Sequence, residues 1–406
     1  MSRESTLGAS REQTLGVLGS GQLGRMFVQA AQAMGFKAVV LDPEAQTEGV
    51  LSPAAQVSDG FLNALFTDTV ALQSLATQCF AVTTEFENVP AQALAYLAQA
   101  TPNVHVSPKA SAVRIAQDRV LEKAHFASCG VTTAPYCVIE AKADIARVPA
   151  DFYPAILKTA RMGYDGKGQV TVNKVAELQA AWDGLSRTVC VLEKRLSLAS
   201  ECSVLLARSK DGATIHWPVQ RNVHVNGILA TTEVACPADT VEALRDKALH
   251  ESLIAAAKSI ATGLDYVGVL CIEFFILADG SWVVNEMAPR PHNSGHVTMN
   301  GSSMSQFEAQ VRVAAGLPVV EPRQHSSCVM LNLLGDVWFD GEQSALPREP
   351  DWARVLALGS GAVGVHLHLY GKSDARRGRK MGHINITAQK LETAWQTATS
   401  IQQLLR

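Results

Sequence analysis

The stretch LGVLGSGQLGRMFVQAAQAMGFKAVVLDPE, residues 15–44, decides the fold of the first part of the chain. An apolar strand at residues 15–18 enters a G-x-G-x-x-G turn, a helix with apolar periodicity follows, and a second strand at 38–41 ends in Asp42. These features make up the full dinucleotide-binding fingerprint, with an acid where a ribose-binding carboxylate would lie. The stretch therefore predicts a parallel α/β unit, and it leaves open which anion the glycine turn faces.

The alternation of strands and helices continues to about residue 109. Helices are predicted at residues 69–78 and 91–100 with a strand at 80–83 between them, which is typical of a parallel sheet. The pattern then changes to helices at 110–127 and 241–262 around short strands, which indicates an antiparallel sheet. The predicted short strands and the last helix cover residues 155–158, 169–172, 190–193, 201–207, 217–219, 329–333, 364–369, 383–387 and 391–405.

The predicted fold class is α/β and α+β in one chain of 406 residues, which is too long for a single ordinary core. An N-terminal Rossmann-like domain with a parallel sheet precedes a central domain with a glycine-rich lid and a small β-rich C-terminal domain. The predicted boundaries are 1–14 for a flexible tail, 15–109 for the first domain, 110–318 for the central domain with its lid at about 150–220, and 319–406.

Composition narrows the class of protein. The chain is 47% hydrophobic and 18% charged, as in a compact globular protein, and its formal net charge of -3 disfavours a dedicated nucleic-acid binder. Eight cysteines without a C-x-x-C pair indicate reduced thiols in the cytoplasm rather than disulfides or a zinc site. The polar first 13 residues predict no secretory signal, and no apolar run of about 18 residues predicts a membrane span.

The stretch CIEFFILADGSWVVNEM, residues 271–287, predicts a hairpin that turns at Asp279 and Gly280. Pairing outward from that turn places Glu273 opposite Glu286 on one face of the ribbon. Two carboxylates so close repel each other unless something positive lies between them. A divalent cation, Mg²⁺ or else Mn²⁺, suits such hard oxygen ligands. The alternative is that both glutamates are solvated and that the register differs by one residue.

The stretch AILKTARMGYDGKGQV, residues 155–170, places Lys158 at the end of a strand, ahead of three glycines. Glycines let the backbone bend over a polyphosphate, and lysines supply countercharge. Strands are predicted on both sides, so the loop differs from a Walker loop, which opens a helix. The pattern favours a mobile hairpin lid, with a plain glycine-rich hairpin as the alternative.

Two polar segments complete the set of candidates. The loop NEMAPRPHNSGH, residues 285–296, has an arginine, two histidines, an asparagine and a serine within its last seven residues, as anion-binding and proton-handling loops do. In the C-terminal region, Lys372 and the basic run at 376–380 are candidates to clamp a phosphate monoester. The alternatives are a polar surface loop and a solvated basic face.

Nine segments resemble one known family. They are GSGQLGRM (19–26), TEFENVP (84–90), QDR (117–119), MGYDGKGQ (162–169), EKRL with a later glutamate (193–201), RNVHVNGIL (221–229), GVLCIEFF (268–275), NEMAPRPHNSGH (285–296) and GRKMGH (378–383). In this order they resemble the N5-carboxyaminoimidazole ribonucleotide synthetases, which are ATP-grasp ligases, over almost the whole chain after Thr14. The sequence differs from the family pattern at Met162 and Ser200, where glycine is expected.

The resemblance implies an ATP site with a bound divalent metal ion. Arg119 and Lys158 would contact the phosphates, residues 193–196 would read adenine, and Glu273 and Glu286 would hold Mg²⁺. The implied ATP-binding residues are Arg119, Lys158, Met162, Gly163, Tyr164, Asp165, Gly166, Lys167, Gly168, Glu193, Lys194, Arg195, Leu196, Glu201, His224, Asn285 and Glu286.

The resemblance also implies the acceptor, 5-aminoimidazole ribonucleotide, whose phosphate or ribose the N-terminal glycine turn would face. Lys158, Arg290 and His292 would be catalytic. The residues implied to bind this acceptor are Gly21, Gln22, Leu23, Glu85, Tyr164, Asp165, Lys167, Arg290, His292, Asn293, Ser294, Lys372 and Arg379. The implied reaction carboxylates the exocyclic amine with ATP and bicarbonate through carboxyphosphate, releasing ADP and phosphate in purine biosynthesis. A homodimer is expected, with no nucleic-acid or membrane partner.

Three alternatives remain at this stage. The nearest alternative is another ATP-grasp ligase, such as a formate-dependent glycinamide ribonucleotide transformylase or a biotin carboxylase. A nicotinamide-dependent oxidoreductase explains residues 15–42 but leaves the opposed glutamates and the lid without a role. A nucleotide-binding regulator with a decayed ligase fold is disfavoured because Lys158 and both glutamates are retained.

Overall fold

The computed structural model describes residues 13–100, 103–163, 168–237, 239, 246–341 and 346–405. The first domain contains the predicted parallel sheet, with helices packed on it. Its five strands lie in the spatial order Gly60–Leu62, Lys37–Leu41, Thr14–Leu18, Ala81–Thr84 and His105–Val106. Its helices are Gln22–Ala33, Thr69–Gln78 and Ala91–Ala100, and the last two have the predicted bounds.

The helix predicted at 110–127 is wrong, because two helices lie there: Ala110–Ala116 and Arg119–Ser128. The Asp118 side chain accepts the backbone N–H groups of Val120 (3.0 Å) and Leu121 (3.3 Å) and so begins a new helix. The backbone N–H of Arg119 donates to the Ala160 carbonyl at 2.9 Å. The break therefore ties the start of the second helix to the loop that follows the Lys158 strand.

A second sheet of four antiparallel strands lies next along the chain. Helix Val175–Gly184 buries Leu178 and Trp182 against the core of this sheet. The strands, in spatial order, are Gln169–Val172, Ala155–Thr159, Cys190–Lys194 and Tyr136–Ile139.

The central sheet has nine strands and spans the rest of the chain. Its main path runs through Trp282–Ala288, Gly268–Leu277, Leu198–Arg208, Gln220–Val225, Ile228–Val234, Ser327–Leu334, Lys380–Ala388 and Gly364–Leu369, and Thr214–His216 pairs with Leu198–Arg208. Helix Lys247–Gly263 packs on one face, and helix Leu391–Leu404 packs beside the C-terminal strands. Because strands from both sides of Pro318 share this sheet, the domain boundary at 319 stays a prediction.

The strand predicted at 217–219 is wrong. Trp217 is fully buried, and its indole N–H donates to the Met304 carbonyl at 2.9 Å. Pro218 has no N–H to donate to a ladder, so the chain bends here between two strands. The remaining short elements are strands Gln46–Thr47 and Val50–Leu51, helices Lys142–Ile145, Thr298–Gly301, Gln306–Ala314 and Trp352–Leu356, and 3-10 helices Ala150–Phe152, Asn293–Val297 and Gly335–Trp338.

Candidate active site

The hairpin that carries the two glutamates contains a β-bulge. Near the turn, Ile276 pairs with Trp282 and Phe274 with Val284, one residue away from the predicted register. The register then shifts, and Ile272 pairs with Met287 as predicted. Because the bulge lies between these pairs, Glu273 is across from Asn285 and Glu286 together. The predicted one-to-one pairing was wrong near the turn, yet both carboxylates line the same cavities.

Each glutamate of this pair has its own polar partner. Arg119 donates to Glu286 at 2.8 Å, and His292 Nε2 lies 3.2 Å from Glu273 Oε1. Burial and repulsion by Glu286 raise the pKa of Glu273. Burial also raises the pKa of Glu286, but the positive charges of Arg119 and Lys158 outweigh burial and lower this pKa below its usual value. The positive charge predicted beside the pair is therefore supplied in part by Arg119.

The N-terminal glycine turn binds a carboxylate of the protein itself. The N–H groups of Gly21 and Gly24 donate to the two oxygens of Glu85 at 2.8 and 3.1 Å. The Ser20 N–H donates to Asp42 Oδ2 at 2.8 Å, so the acid at the ribose-binding position of the fingerprint bonds to the turn itself. Burial raises the pKa of Glu85 despite the two amide bonds. In this structure the Gly21 and Gly24 amides therefore bind Glu85, and a dinucleotide pyrophosphate would meet two carboxylates here. The predicted contact of Gly21 with the ribonucleotide stays a prediction.

Replacing Gly19 with alanine tests this packing. Gly19 has φ +106°, and an added Cβ would lie 2.6 Å from Glu85 Oε1. Gly35 also has positive φ, +84°, but an added Cβ there meets nothing within 4 Å. We expect Gly35→Ala to lower the free energy of unfolding by about 1 kcal/mol and Gly19→Ala by about 3 kcal/mol, measured by urea denaturation. Equal losses would show that Glu85 does not constrain the turn.

Two cavities meet at the glutamate pair. The smaller, of 430 Å³, is lined by the glycine turn, Glu85 and the C-terminal basic run. The larger, of 810 Å³, is lined by residues of the second sheet and of the central sheet. The residues that line both cavities are Arg119, Glu273, Glu286, His292, Asn293 and Lys380. A group bound in one cavity can therefore react with a group bound in the other at this junction.

Comparison with known proteins identifies the family. Models of the ribonucleotide synthetase preATP-grasp domain, the ATP-grasp domain and the phosphoribosylaminoimidazole carboxylase C-terminal domain match residues 12–117, 124–307 and 328–397. The N5-carboxyaminoimidazole ribonucleotide synthase of Brucella melitensis is 40% identical over 376 residues, 91% of this chain and 95% of that protein. The chain belongs to the N5-carboxyaminoimidazole ribonucleotide synthase family. The Bacillus subtilis member is 35% identical over 382 residues, 94% of this chain and 93% of that protein.

Solved structures of this family have the same fold. An N5-carboxyaminoimidazole ribonucleotide synthetase in an ADP complex is 36% identical with a TM-score of 0.84, covering 96% of each chain. The Aspergillus clavatus synthase in complex with ADP and 5-aminoimidazole ribonucleotide is 28% identical with a TM-score of 0.81, covering 97% of this chain and 99% of that one. The predicted fold class, with an ATP-grasp domain between a parallel-sheet domain and a β-rich end, is confirmed.

The larger cavity collects most of the residues that the family resemblance assigned to ATP. Those that line it are Arg119, Lys158, Glu193, Lys194, Arg195, Leu196, Glu201, His224, Asn285 and Glu286. Glu201 and His224 lie 2.6 Å apart, and this bond, with the nearby Glu273, raises the pKa of His224 against the opposing effect of burial. Lys158 donates to Glu193 at 2.9 Å. The roles of these residues toward ATP stay a prediction.

The glycine-rich loop of the predicted lid, residues 162–168, is described only at its ends. Tyr164, Asp165, Gly166 and Lys167 lie outside the described residues. Met162 and Gly163 line the smaller cavity rather than the larger one, and the Gly168 carbonyl accepts the Thr159 N–H at 2.8 Å. Met162 is 68% exposed with φ +61°, in the left-handed region that favours glycine. The glycine expected here by the family pattern thus has a conformational reason.

The smaller cavity is lined by the other candidates. These are Gly21, Gln22, Leu23, Glu85, Arg290, His292, Asn293, Lys372 and Arg379. Lys372 donates to Gln22 at 2.9 Å and so joins the C-terminal region to the glycine turn. Within the basic run, Arg376 pairs with Asp374 at 71% exposure and Arg377 lies over the Phe339 ring, so neither lines this cavity. Of the basic residues predicted to bind a phosphate monoester, those that line the cavity are therefore Lys372, Arg379 and Lys380.

Ser294 differs from the other candidates because it is fully buried and lines neither cavity. Its hydroxyl lies 3.0 Å from His292 Nδ1 and accepts from the Ser203 hydroxyl at 2.8 Å. With Nδ1 bonded to Ser294, His292 can present its Nε2–H to Glu273. Burial and the nearby Arg290 lower the pKa of His292 well below its usual value. Ser294 therefore contacts His292, and its predicted role toward the ribonucleotide stays a prediction.

Three charged residues of the site were missed from the sequence. Glu87 pairs with Arg290. Burial lowers the pKa of the Arg290 guanidinium, but Glu87 outweighs burial and raises that pKa above its usual value. Glu122 accepts the Met287 N–H at 2.7 Å, and burial raises the pKa of its carboxyl to about 8. Lys123 lies 3.0 Å from Glu193. Glu122 and Lys123 follow Arg119 by three and four residues, so helical spacing was a signal for both.

Proposed function

We propose that ATP binds in the larger cavity, that 5-aminoimidazole ribonucleotide binds in the smaller one, and that carboxyl transfer occurs where they meet. The chain is an ATP-dependent carbon–nitrogen ligase of the N5-carboxyaminoimidazole ribonucleotide synthase family. The observation that carries this assignment is that the described candidates for ATP and for the ribonucleotide separate into two cavities that share the glutamate pair. The exceptions are Met162 and Gly163, which line the smaller cavity, and Gly168 and Ser294, which line neither.

The first step activates bicarbonate. Hydroxide is a poor leaving group, so a bicarbonate oxygen attacks the γ-phosphorus of ATP, ADP leaves, and carboxyphosphate forms. Arg119 and Lys158 neutralise charge on the phosphates, because both cations line the cavity beside the glutamates. Holding the reactants in one orientation supplies the rest of the acceleration.

A divalent metal ion fits the glutamate pair. Glu273 and Glu286 offer hard oxygen ligands at the junction of the cavities, and Mg²⁺ binds through one or two carboxylates together with substrate phosphates. Within the described residues, no group of three or more His, Cys, Asp or Glu side chains is placed to hold an ion. Phosphate oxygens of ATP would complete the coordination of a metal ion held by this pair. When bound, Mg²⁺ neutralises the phosphate charge during transfer.

The second step forms the carbon–nitrogen bond. The exocyclic amine attacks the carboxyl carbon of carboxyphosphate or the CO₂ released from it, and phosphate leaves. Arg290, held by Glu87, places a guanidinium against the anionic intermediate, and His292 lies beside it with its Nε2–H toward Glu273. The departing phosphate takes the amine proton. Lys372 and Arg379 bind the ribonucleotide phosphate. Carboxyphosphate hydrolyses readily in water, so lid closure protects it.

Assembly and location follow from the family rather than from this geometry. The free thiols of all eight cysteines agree with a location in the cytoplasm, and the homodimer is expected from the family resemblance alone. In the described part of the chain, no helix has the length and apolar character required to cross a membrane.

A coupled ADP assay tests the proposed function. With ATP, Mg²⁺ and bicarbonate, we expect ADP release to depend on 5-aminoimidazole ribonucleotide, because the smaller cavity supplies its phosphate and carboxylation contacts. Glycinamide ribonucleotide with formate, and biotin with bicarbonate, are the competing acceptors and should give no more than background. ADP release that follows one of these acceptors instead would assign the chain to another ATP-grasp reaction.

A thermal-shift comparison tests the nicotinamide alternative. ATP with Mg²⁺ should raise the melting temperature, because ligand that binds the folded state stabilises it. NADH at the same concentration should not, since Glu85 and Asp42 occupy the amides that a pyrophosphate needs. Stabilisation by NADH alone would favour the oxidoreductase.

A further inference from the structure

A buried glutamate beside the nucleotide cavity is shared by two lysines. Lys158 Nζ lies 2.9 Å from one carboxylate oxygen of Glu193, and Lys123 Nζ lies 3.0 Å from the other. The side chains are 11%, 6% and 1% exposed for Lys158, Glu193 and Lys123. Arg119, from the same helix as Lys123, is a further charged group that interacts with Glu193, and the Lys123 ammonium lies 5.6 Å from the Tyr136 ring centroid.

The two lysines differ in what else they can reach. Lys158 lines the larger cavity, beside the glutamate pair. Lys123 lines neither cavity, and among the described residues its ammonium lies against Glu193 and the Tyr136 ring. One ammonium is enough to neutralise one carboxylate, so the second leaves the cluster with a surplus positive charge. Lys158 is therefore the cation that can turn to a ligand, and Lys123 is the one that stays.

We propose that Lys123 is a positioning residue that remains the counter-ion of Glu193 while Lys158 turns its ammonium to the phosphates of ATP. This rests on the proposed function, which assigns Lys158 to those phosphates. A carboxylate inside a protein is stable only when it is paired, so Lys158 can leave Glu193 at low cost because Lys123 does not. In agreement, burial raises the pKa of Glu193, and the two lysines outweigh burial and lower it below its usual value.

Removing Lys123 therefore changes the chemistry of ATP binding. Without it, Lys158 is the partner that Glu193 cannot lose. Binding then either leaves Lys158 on Glu193, which weakens the contact to phosphate, or requires Glu193 to take up a proton. A role for Lys123 in packing alone predicts neither proton uptake nor a pH dependence.

The test uses the full chain with Lys123→Met, which keeps the volume of the stem and removes the charge. Binding of a β,γ-imido analogue of ATP with Mg²⁺ is measured by isothermal titration calorimetry at pH 8, in two buffers of different ionisation enthalpy. We expect the dissociation constant to rise on the order of 10- to 100-fold, with proton uptake approaching one per analogue bound. At pH 6 the loss should be smaller, because more Glu193 is already protonated.

Matched variants separate charge from packing. Lys247→Met, at a side chain that is 66% exposed, should bind as the unaltered chain does. Lys123→Arg keeps the charge and should bind without proton uptake. Lys123→Met is also made in a Glu193→Gln background, where no carboxylate needs a counter-ion, and there removing Lys123 should lower the affinity no more than a few-fold further. A large further loss in that background, or normal binding in Lys123→Met without proton uptake, overturns the proposal.

A second measurement does not depend on the folding of the variants. In a crystal structure of the unaltered chain with the same analogue, Lys158 should contact a phosphate while Lys123 stays within 4 Å of Glu193, the limit for an ion pair. A Lys123 displaced from Glu193 in that complex contradicts the assignment. Failure of the analogue to bind the unaltered chain would instead count against the proposed function.

Discussion

Replacing Glu286 with glutamine should abolish ADP formation and leave the fold intact. The glutamine keeps the size of the side chain and can still accept the hydrogen bond from Arg119, which now reaches Glu286 at 2.8 Å. It removes the negative charge that the pair offers to a divalent cation at the junction of the two cavities. The expected loss in the rate of ADP release is on the order of 10²- to 10³-fold or more.

The measurement is the coupled ADP assay with saturating ribonucleotide and bicarbonate, and circular dichroism with a thermal melt reports the fold. Glu251→Gln makes the same chemical change on a helix surface, where the side chain is 67% exposed, and should leave the rate unchanged. ADP release near the normal rate in Glu286→Gln would remove the metal assignment from this pair.

Acid should destabilise the protein through a stack of three histidines. The His383 ring lies 4.4 Å from that of His296 and 4.5 Å from that of His368, measured between centroids, and His296 and His383 are buried. Burial lowers the pKa of His296 to about 3 and that of His368 to about 4, and it lowers the pKa of His383 well below its usual value. The stack joins the 3-10 helix Asn293–Val297 to two C-terminal strands.

The sign of the effect follows from proton binding. In the unfolded chain each histidine takes up a proton as the pH falls through about 6.5, whereas in the folded chain these imidazoles stay neutral until a lower pH. The stability is therefore intact above pH 6.5 and is lost as the pH falls toward 4. Between pH 7 and pH 5 we expect each of the three histidines to remove about 2 kcal/mol from the free energy of unfolding.

Urea denaturation at pH 7 and pH 5 measures this loss. The loss between these pH values should be smaller by about 2 kcal/mol in His368→Gln than in the unaltered chain, because one imidazole is gone. Val365→Ala, on the same strand, should lower the free energy of unfolding by the same amount at pH 7 and at pH 5, since it removes packing but no titrating group. An equal pH-dependent loss in His368→Gln and the unaltered chain would contradict the role of the stack.

Local signals explain where the sequence predicted the elements well. The helix at Thr69–Gln78 begins after Asp68, whose side chain accepts two backbone N–H groups. The break at Asp118 uses the same kind of cap, yet it was missed because apolar residues continue on both sides of it. The hairpin register was wrong near the turn because a bulge adds a residue without a local sequence signal.

The sequence by itself determined the order of the elements, the family resemblance and the residue types available for phosphate, metal and acceptor binding. These depend on periodicity, caps and motifs within short segments. Only the tertiary structure decided that Glu85 fills the glycine turn from 64 residues away and that Glu193 is shared by two lysines. It also decided that two cavities meet at the glutamate pair. Such contacts join distant segments, and their geometry is fixed by packing, so G-x-G-x-x-G predicted a turn that favours an anion but did not identify the anion.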